Sequence, residues 1–146
     1  VLRAALGVCA AAAVPRARAC EAFATTLRVI HPWSRATREG VTTAAVCMVI
    51  DEVTEDDRLI GATTSVASSV ELAGEGLGPA LDLFVPKGTE LVLEESGVHL
   101  RLVGLKQQLL LGRSFPLQLQ FEKGGTVYST LNVDQLPLRA ASAAGG

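Results

Sequence analysis

From Thr25 onward the chain is a series of short apolar stretches broken by turn residues, and the stretches read as strands. Phe115, Leu117, Leu119 and Phe121 alternate with Pro116, Gln118 and Gln120, the period-two pattern of a strand with one buried and one wet face. Glu122-Lys123-Gly124-Gly125 follows and predicts a hairpin turning into Val127-Tyr128. Val98, Leu100 and Leu102 fall on one face of another strand, with His99 and Arg101 on the opposite face. The continuous apolar run at 44–50 predicts a buried strand, and the charged cluster at 51–58 a solvated loop after it. Shorter segments at 27–30, 59–60, 66–72, 81–85, 90–93 and 126–133 complete the set, and Pro32 beside Trp33 marks a turn or a sheet edge. Gly74, Gly76, Gly78 and Pro79 interrupt any regular element. Many short strands with turn signals between them predict an all-β sandwich or Greek-key barrel.

The two ends have a different texture. Residues 1–24 predict a targeting or membrane-docking segment, helical in character. Arg3 precedes an apolar run at 4–14, and Ala17-Arg18-Ala19 fits a small-x-small cleavage site. The arginines without acids equally match an organelle presequence. As a helix that run rises about 17 Å, short of the roughly 30 Å hydrocarbon core. A lipoprotein reading would acylate Cys20, although Ala17 stands where such sites carry Leu. Residues 25–135 are then the sandwich domain, and residues 136–146 an Ala- and Gly-rich flexible tail.

Composition narrows the function classes. The 146 residues make one domain, 49% hydrophobic but only 4% aromatic, so the core is built from Val, Leu and Ala. The net charge of -2 is uneven: residues 1–20 hold Arg3, Arg16 and Arg18 with no acid, which leaves the body acidic and argues against nucleic acid as a partner. The cysteines, Cys9, Cys20 and Cys47, have no metal-type spacing and an odd count. Cys47, inside an apolar strand pattern, is expected to be a buried small hydrophobe, and a Cys9–Cys20 bridge stays open.

Candidate chemistry is sparse. The chain has no G-x-G-x-x-G, no phosphate loop, no H-E-x-x-H and no G-x-S-x-G. A His-based triad would need His31 or His99. His31, beside Pro32, is expected to be solvated at a strand end without an orienting partner. The acids Asp51, Glu52, Glu55, Asp56 and Asp57 form a run rather than a converging pair. The expectation is a protein that is not an enzyme and has no small-molecule substrate.

Six blocks carry a family resemblance: I-H-P-W-S-R-A-T at 30–37, A-A-V-C-M-V-I at 44–50, D-R-L-I-G-A at 57–62, V-E-L at 70–72, S-G-V-H-L-R-L-V-G-L-K at 96–106 and L-G-R-S-F-P-L-Q-L-Q-F at 111–121. In that order they resemble the PCuAC-type copper chaperones over roughly residues 27–133. The resemblance implies a cupredoxin-like β-sandwich, a secreted domain, and an association with delivering Cu(I) to the binuclear copper centre of cytochrome oxidase. It also implies a site of two His and two Met, a soft set suited to Cu(I). This chain departs from that set. Ala73 stands at the first His, Leu77 at the first Met in a loop shortened to 74–77, and the closing His-x-Met is His99-Leu100-Arg101. Met48, the only Met, falls inside a core strand.

His99 is therefore the one candidate metal residue, vestigial in this reading, because Arg101 on the same face opposes a cation and favours neutral imidazole. No cofactor is expected. The leading expectation is a non-catalytic accessory subunit or assembly factor of a membrane respiratory complex, cytochrome oxidase first by family association. Its partners would be protein subunits, close to a membrane. Its place would be the extracytoplasmic face of an energy-transducing membrane, the mitochondrial inner membrane and intermembrane space slightly ahead of the bacterial periplasm. The competing expectation is a working Cu(I) chaperone that keeps His99 as a ligand to copper.

Overall fold

The computed structural model describes residues 21–138. They form ten strands: β1 (Glu21–Phe23), β2 (Arg28–Arg35), β3 (Thr43–Asp51), β4 (Asp57–Thr64), β5 (Ala67–Ala73), β6 (Leu83–Val85), β7 (Leu91–Leu93), β8 (His99–Leu105), β9 (Ser114–Phe121) and β10 (Gly125–Gln135). The all-β class expected from the patterning is the one observed. Among the described residues no helix is long and apolar enough to cross a membrane. The helix expected near the N-terminus falls on residues outside those described. Glu21–Phe23, in the stretch expected to be leader, is strand β1 and pairs antiparallel with β2, Glu21 opposite Ile30 and Phe23 opposite Arg28.

Strand order runs β5-β8-β3-β2-β10-β9-β4-β6. β3 is the seam of the sandwich. Its first half pairs with β8, Thr43 opposite Val103 and Val46 opposite Leu100, while its second half pairs with β7, Met48 opposite Leu93 and Ile50 opposite Leu91. The other edge of β3 lies along β2. β2 in turn pairs in parallel with β10, Trp33 opposite Asn132. The predicted hairpin joins β9 to β10, with Phe121 opposite Gly125.

The alternation decides what is buried. In β9, Leu117, Leu119 and Phe121 face the core, and in β8, Leu100 and Leu102 do. They pack with Val29, Val46, Ile50, Leu59, Leu131 and Val133 in one continuous cluster. Each such side chain stabilises the fold by roughly 1.5–3 kcal/mol relative to exposure. Cys47 is a buried free thiol, as its place in an apolar run predicts, but it alternates with Val46 and Met48 on β3 and is not part of that cluster. Burial, then the nearby Glu95 carboxylate, pushes its pKa up to about 11.

Two local readings of the sequence are corrected. Pro32 is neither in a turn nor on an edge: it lies inside β2, flanked by β3 on one side and by β1 and β10 on the other. The ladder to β3 shifts register between Ile30 and Trp33, and His31 there takes a left-handed φ of 47°. That irregularity is where a strand tolerates a residue with no N–H to donate.

The acidic run is not merely a solvated loop. Asp51 ends β3 and holds Arg28 by two bonds of 2.8 Å, and Asp57 is 1% exposed. Asp57 Oδ1 accepts the N–H groups of Arg58 (2.8 Å) and Lys123 (2.7 Å), and Oδ2 accepts the Thr26 hydroxyl (2.7 Å) and the Gly124 N–H (2.9 Å). Burial is the largest influence on this carboxyl and pushes its pKa up. The four bonds together outweigh it and hold the group below the usual carboxylate range. Gly124 is required at this point, because a Cβ there would lie 2.6 Å from Thr26 Oγ1 and 2.8 Å from Ala24 Cβ.

Candidate functional site

The site predicted from the sequence gathers at one corner of the sheet, where β5 ends and β8 begins. Antiparallel pairing sets Ala73 opposite His99, Leu72 opposite Leu100 and Glu71 opposite Arg101. Residues directly opposite across such a ladder have their Cβ atoms about 4.5–5.5 Å apart. The chain enters β8 through a tight turn, in which the Gly97 N–H donates to Glu94 O (2.9 Å) and the Glu94 N–H to Val98 O (3.0 Å). It leaves β5 through a second turn, closed by the Leu77 N–H to Gly74 O (3.1 Å). Gly74 has φ +149°, and a Cβ built on it would be 3.0 Å from Leu77 Cδ1 and 3.3 Å from Val98 Cα. Leu77 therefore folds back over Gly74 and the start of β8. Ala73, Gly74, Leu77 and His99, which lie in two separate stretches of sequence, are brought to this corner.

The chemistry at this corner is that of an imidazole beside an ion pair. His99 is half-buried, and its Nδ1 lies 3.0 Å from Gly97 O. A carbonyl only accepts, so Nδ1 carries the proton, and in the neutral ring Nε2 keeps its lone pair. Arg101 shares the face of His99 two residues on, about 6.5–7 Å along the strand. Its Nη1 lies 3.7 Å from Glu71 Oε1. Among the described residues no group of three or more His, Cys, Asp or Glu converges in a way that could hold a metal. Met48 is buried opposite Leu93 in the core, away from this corner.

The second histidine is elsewhere. β3 separates β2 from β8, so His31 and His99 do not share a site. Contrary to the sequence expectation, His31 does have an orienting partner: its Nε2 lies 2.7 Å from Asp134 Oδ2 on β10. No local pattern announces this pair, since its members are 103 residues apart.

Arg35 is equally silent in the sequence. It stands 5.9 Å over the Trp33 ring, donates through Nε to Glu95 (2.8 Å) and through Nη1 to Leu136 O (2.9 Å). The only clue is its position two residues from Trp33 on one strand.

Comparison with known proteins agrees with this fold. The family model described as LpqE-like matches residues 27–133. A protein of Leifsonia xyli subsp. xyli, named "Putative lipoprotein Lxx21020", is 32% identical over 108 residues, 68% of this chain; the chain spans 64% of that relative's length. Among solved structures, the copper-bound PCuAC domain from PmoF2 is 27% identical with a TM-score of 0.72, covering 79% of this chain and 97% of that one. The Cu(I) form of DR1885 from Deinococcus radiodurans shares the fold, with a TM-score of 0.64 at 24% identity over 72% of this chain and 76% of that one. The resemblance read from the six sequence blocks is thus borne out, and with it the cupredoxin-like sandwich.

Proposed function

The chain belongs to the LpqE-like family, and on that premise we propose that it is a non-catalytic accessory subunit or assembly factor of a membrane respiratory complex, built on a PCuAC domain that no longer carries a copper site of its own. The observation behind this reading is the register at the β5–β8 corner. Where the resemblance implies His and Met, the chain presents the Ala73 methyl group opposite His99 and the Glu71–Arg101 ion pair beside it. A methyl group and a salt-bridged guanidinium offer no soft donor to Cu(I), and a permanent cation nearby disfavours a second one. What such a domain offers instead is a rigid sheet whose faces and ends contact other proteins. Cytochrome oxidase is the first complex to examine, by family association.

The lipoprotein name of the Leifsonia relative supports an extracytoplasmic, membrane-anchored place, with Cys20 as the residue to test for acylation. The deciding experiment is affinity isolation of the chain from detergent-solubilised membranes of its source. Co-purification of oxidase subunits in fixed stoichiometry is expected, and recovery of the chain alone would defeat the proposal.

A second reading has one observation in its favour. The Nδ1–H bond to Gly97 O leaves His99 Nε2 available, the arrangement that orients metal-bound imidazoles. In that reading the chain is a Cu(I) carrier whose remaining ligands come from elsewhere. Stoichiometric Cu(I) uptake that is lost in His99→Ala would establish it over the first.

A further inference from the structure

The end of the sandwich away from the His99 corner is apolar and basic, on a body that is acidic. Three segments are bound together there: 36–42 after β2, 106–113 after β8 and 135–138 after β10. The Thr37 N–H donates to Leu109 O and the Leu109 N–H to the Thr37 hydroxyl, both at 2.9 Å. The Gly112 N–H reaches Val133 O (2.8 Å), and the Ala36 N–H reaches Gln135 O (2.7 Å). Leu109 is buried and pins the middle segment. Its neighbours Leu110 and Leu111 are left facing outward, and with Val41, Leu136 and Leu138 they are 41–64% exposed. An open groove of about 570 Å³ runs between Leu111, Arg35 and residues 134–138.

Charge is divided along the same line. Arg38, Lys106 and Arg113 are exposed around these leucines, and none forms an ion pair among the described residues. Among nearby acids, Glu95, which reaches this end from the turn before β8, is held by Arg35, and Asp134 is held by His31, which leaves Glu39. The rest of the described chain carries five basic against twelve acidic residues. Leucines rimmed by arginine and lysine suit a bilayer interface with negative headgroups, and the acidic remainder is repelled from it, so that only one orientation is favourable.

We propose that this end, formed by segments 36–42, 106–113 and 135–138, seats on an anionic lipid surface. β8 then sets the distance of the other corner. The Leu105 N–H donates to Thr42 O at the seated end, and His99 opens the same strand about 20 Å away. The proposal rests on the membrane-proximal part of the functional reading and not on its copper or partner parts.

The test uses the full chain and phosphatidylcholine vesicles with or without roughly 30% phosphatidylglycerol. Residues 1–20 are retained in every variant, so whatever they contribute is common to all. Expected are binding to the anionic vesicles that weakens with added salt, a loss of about tenfold in Leu111→Glu/Leu138→Glu and in Arg38→Glu/Arg113→Glu, and no change in Val92→Glu, an exposed position on β7. Circular dichroism confirms that each variant is folded. Equal binding by all variants overturns the proposal. So does absence of vesicle binding together with a concentration-dependent dimer that Leu111→Glu dissolves, which would assign this end to a second copy. So does absence of vesicle binding by a chain that still co-purifies with oxidase subunits and loses them in Leu111→Glu, which would assign it to a protein partner. Vesicle binding without any co-purifying subunit would instead keep this proposal and defeat the accessory-subunit reading.

Discussion

Asp57 ties three distant segments together through four hydrogen bonds: the turn after β1, the start of β4 and the β9–β10 hairpin. Removing the carboxylate leaves buried N–H groups without an acceptor, which costs more than the bonds contribute. Asp57→Ala is expected to lower stability by about 3 kcal/mol, read from urea unfolding. The same group gives a pH dependence with a definite sign. Asp57 and Asp51 both titrate lower in the folded chain, Asp51 through its hydrogen bonds to Arg28. Their stabilisation is complete above the unfolded carboxylate value near ~3.9 and drains away as pH falls through the folded values. Asp57→Asn should flatten that acid limb measurably. A variant whose stability falls as steeply as the parent's between about pH 4 and pH 2 would show the assignment to be wrong.

Among the elements, those with a clean period are legible from the chain alone. β8 and β9 alternate apolar with polar, and β3 is a single apolar run ended by charge, so local sequence is sufficient. β1 has three residues and no period, and it exists because β2 offers an edge to pair with. The bulge at His31 and Pro32 escapes a local reading for a similar reason, since its tolerance comes from neighbouring strands. The candidate site divides the same way. That His99 and Arg101 share a face follows from alternation, but Ala73 and Glu71 as their neighbours follow from register across the ladder. Gly104 shows how closely that ladder is fitted. It has φ +71° inside β8, and an added Cβ would lie 2.8 Å from Ser68 Oγ and 2.9 Å from Ser68 Cβ. Gly104→Ala should cost about 2 kcal/mol in thermal or urea unfolding, and a Ser68→Gly background should recover the steric part alone.

At the scale of the whole molecule, copper affinity becomes a question of stability. An ion bound by the folded chain only, at a free concentration 100 times its Kd, would stabilise it by about 2.7 kcal/mol and raise Tm by several degrees. We expect Tm to stay within about one degree when Cu(I) is added under reducing conditions, as measured by scanning calorimetry. A rise of several degrees that disappears in His99→Ala would reverse the proposed reading and restore the carrier.

The way β3 divides its partners has a further consequence. By strand pairing, the β5–β8 sheet edge is fastened to everything else through one short stitch, Thr43 to Val46 against Leu100 to Val103, while the load of the remaining sandwich is carried by the other half of β3 and by β2. Side chains on the outer surface of that flap can be exchanged without loosening the building behind it. Over evolutionary time the occupation of that surface is therefore open to turnover, and lineages that inherit the same walls are free to furnish it differently.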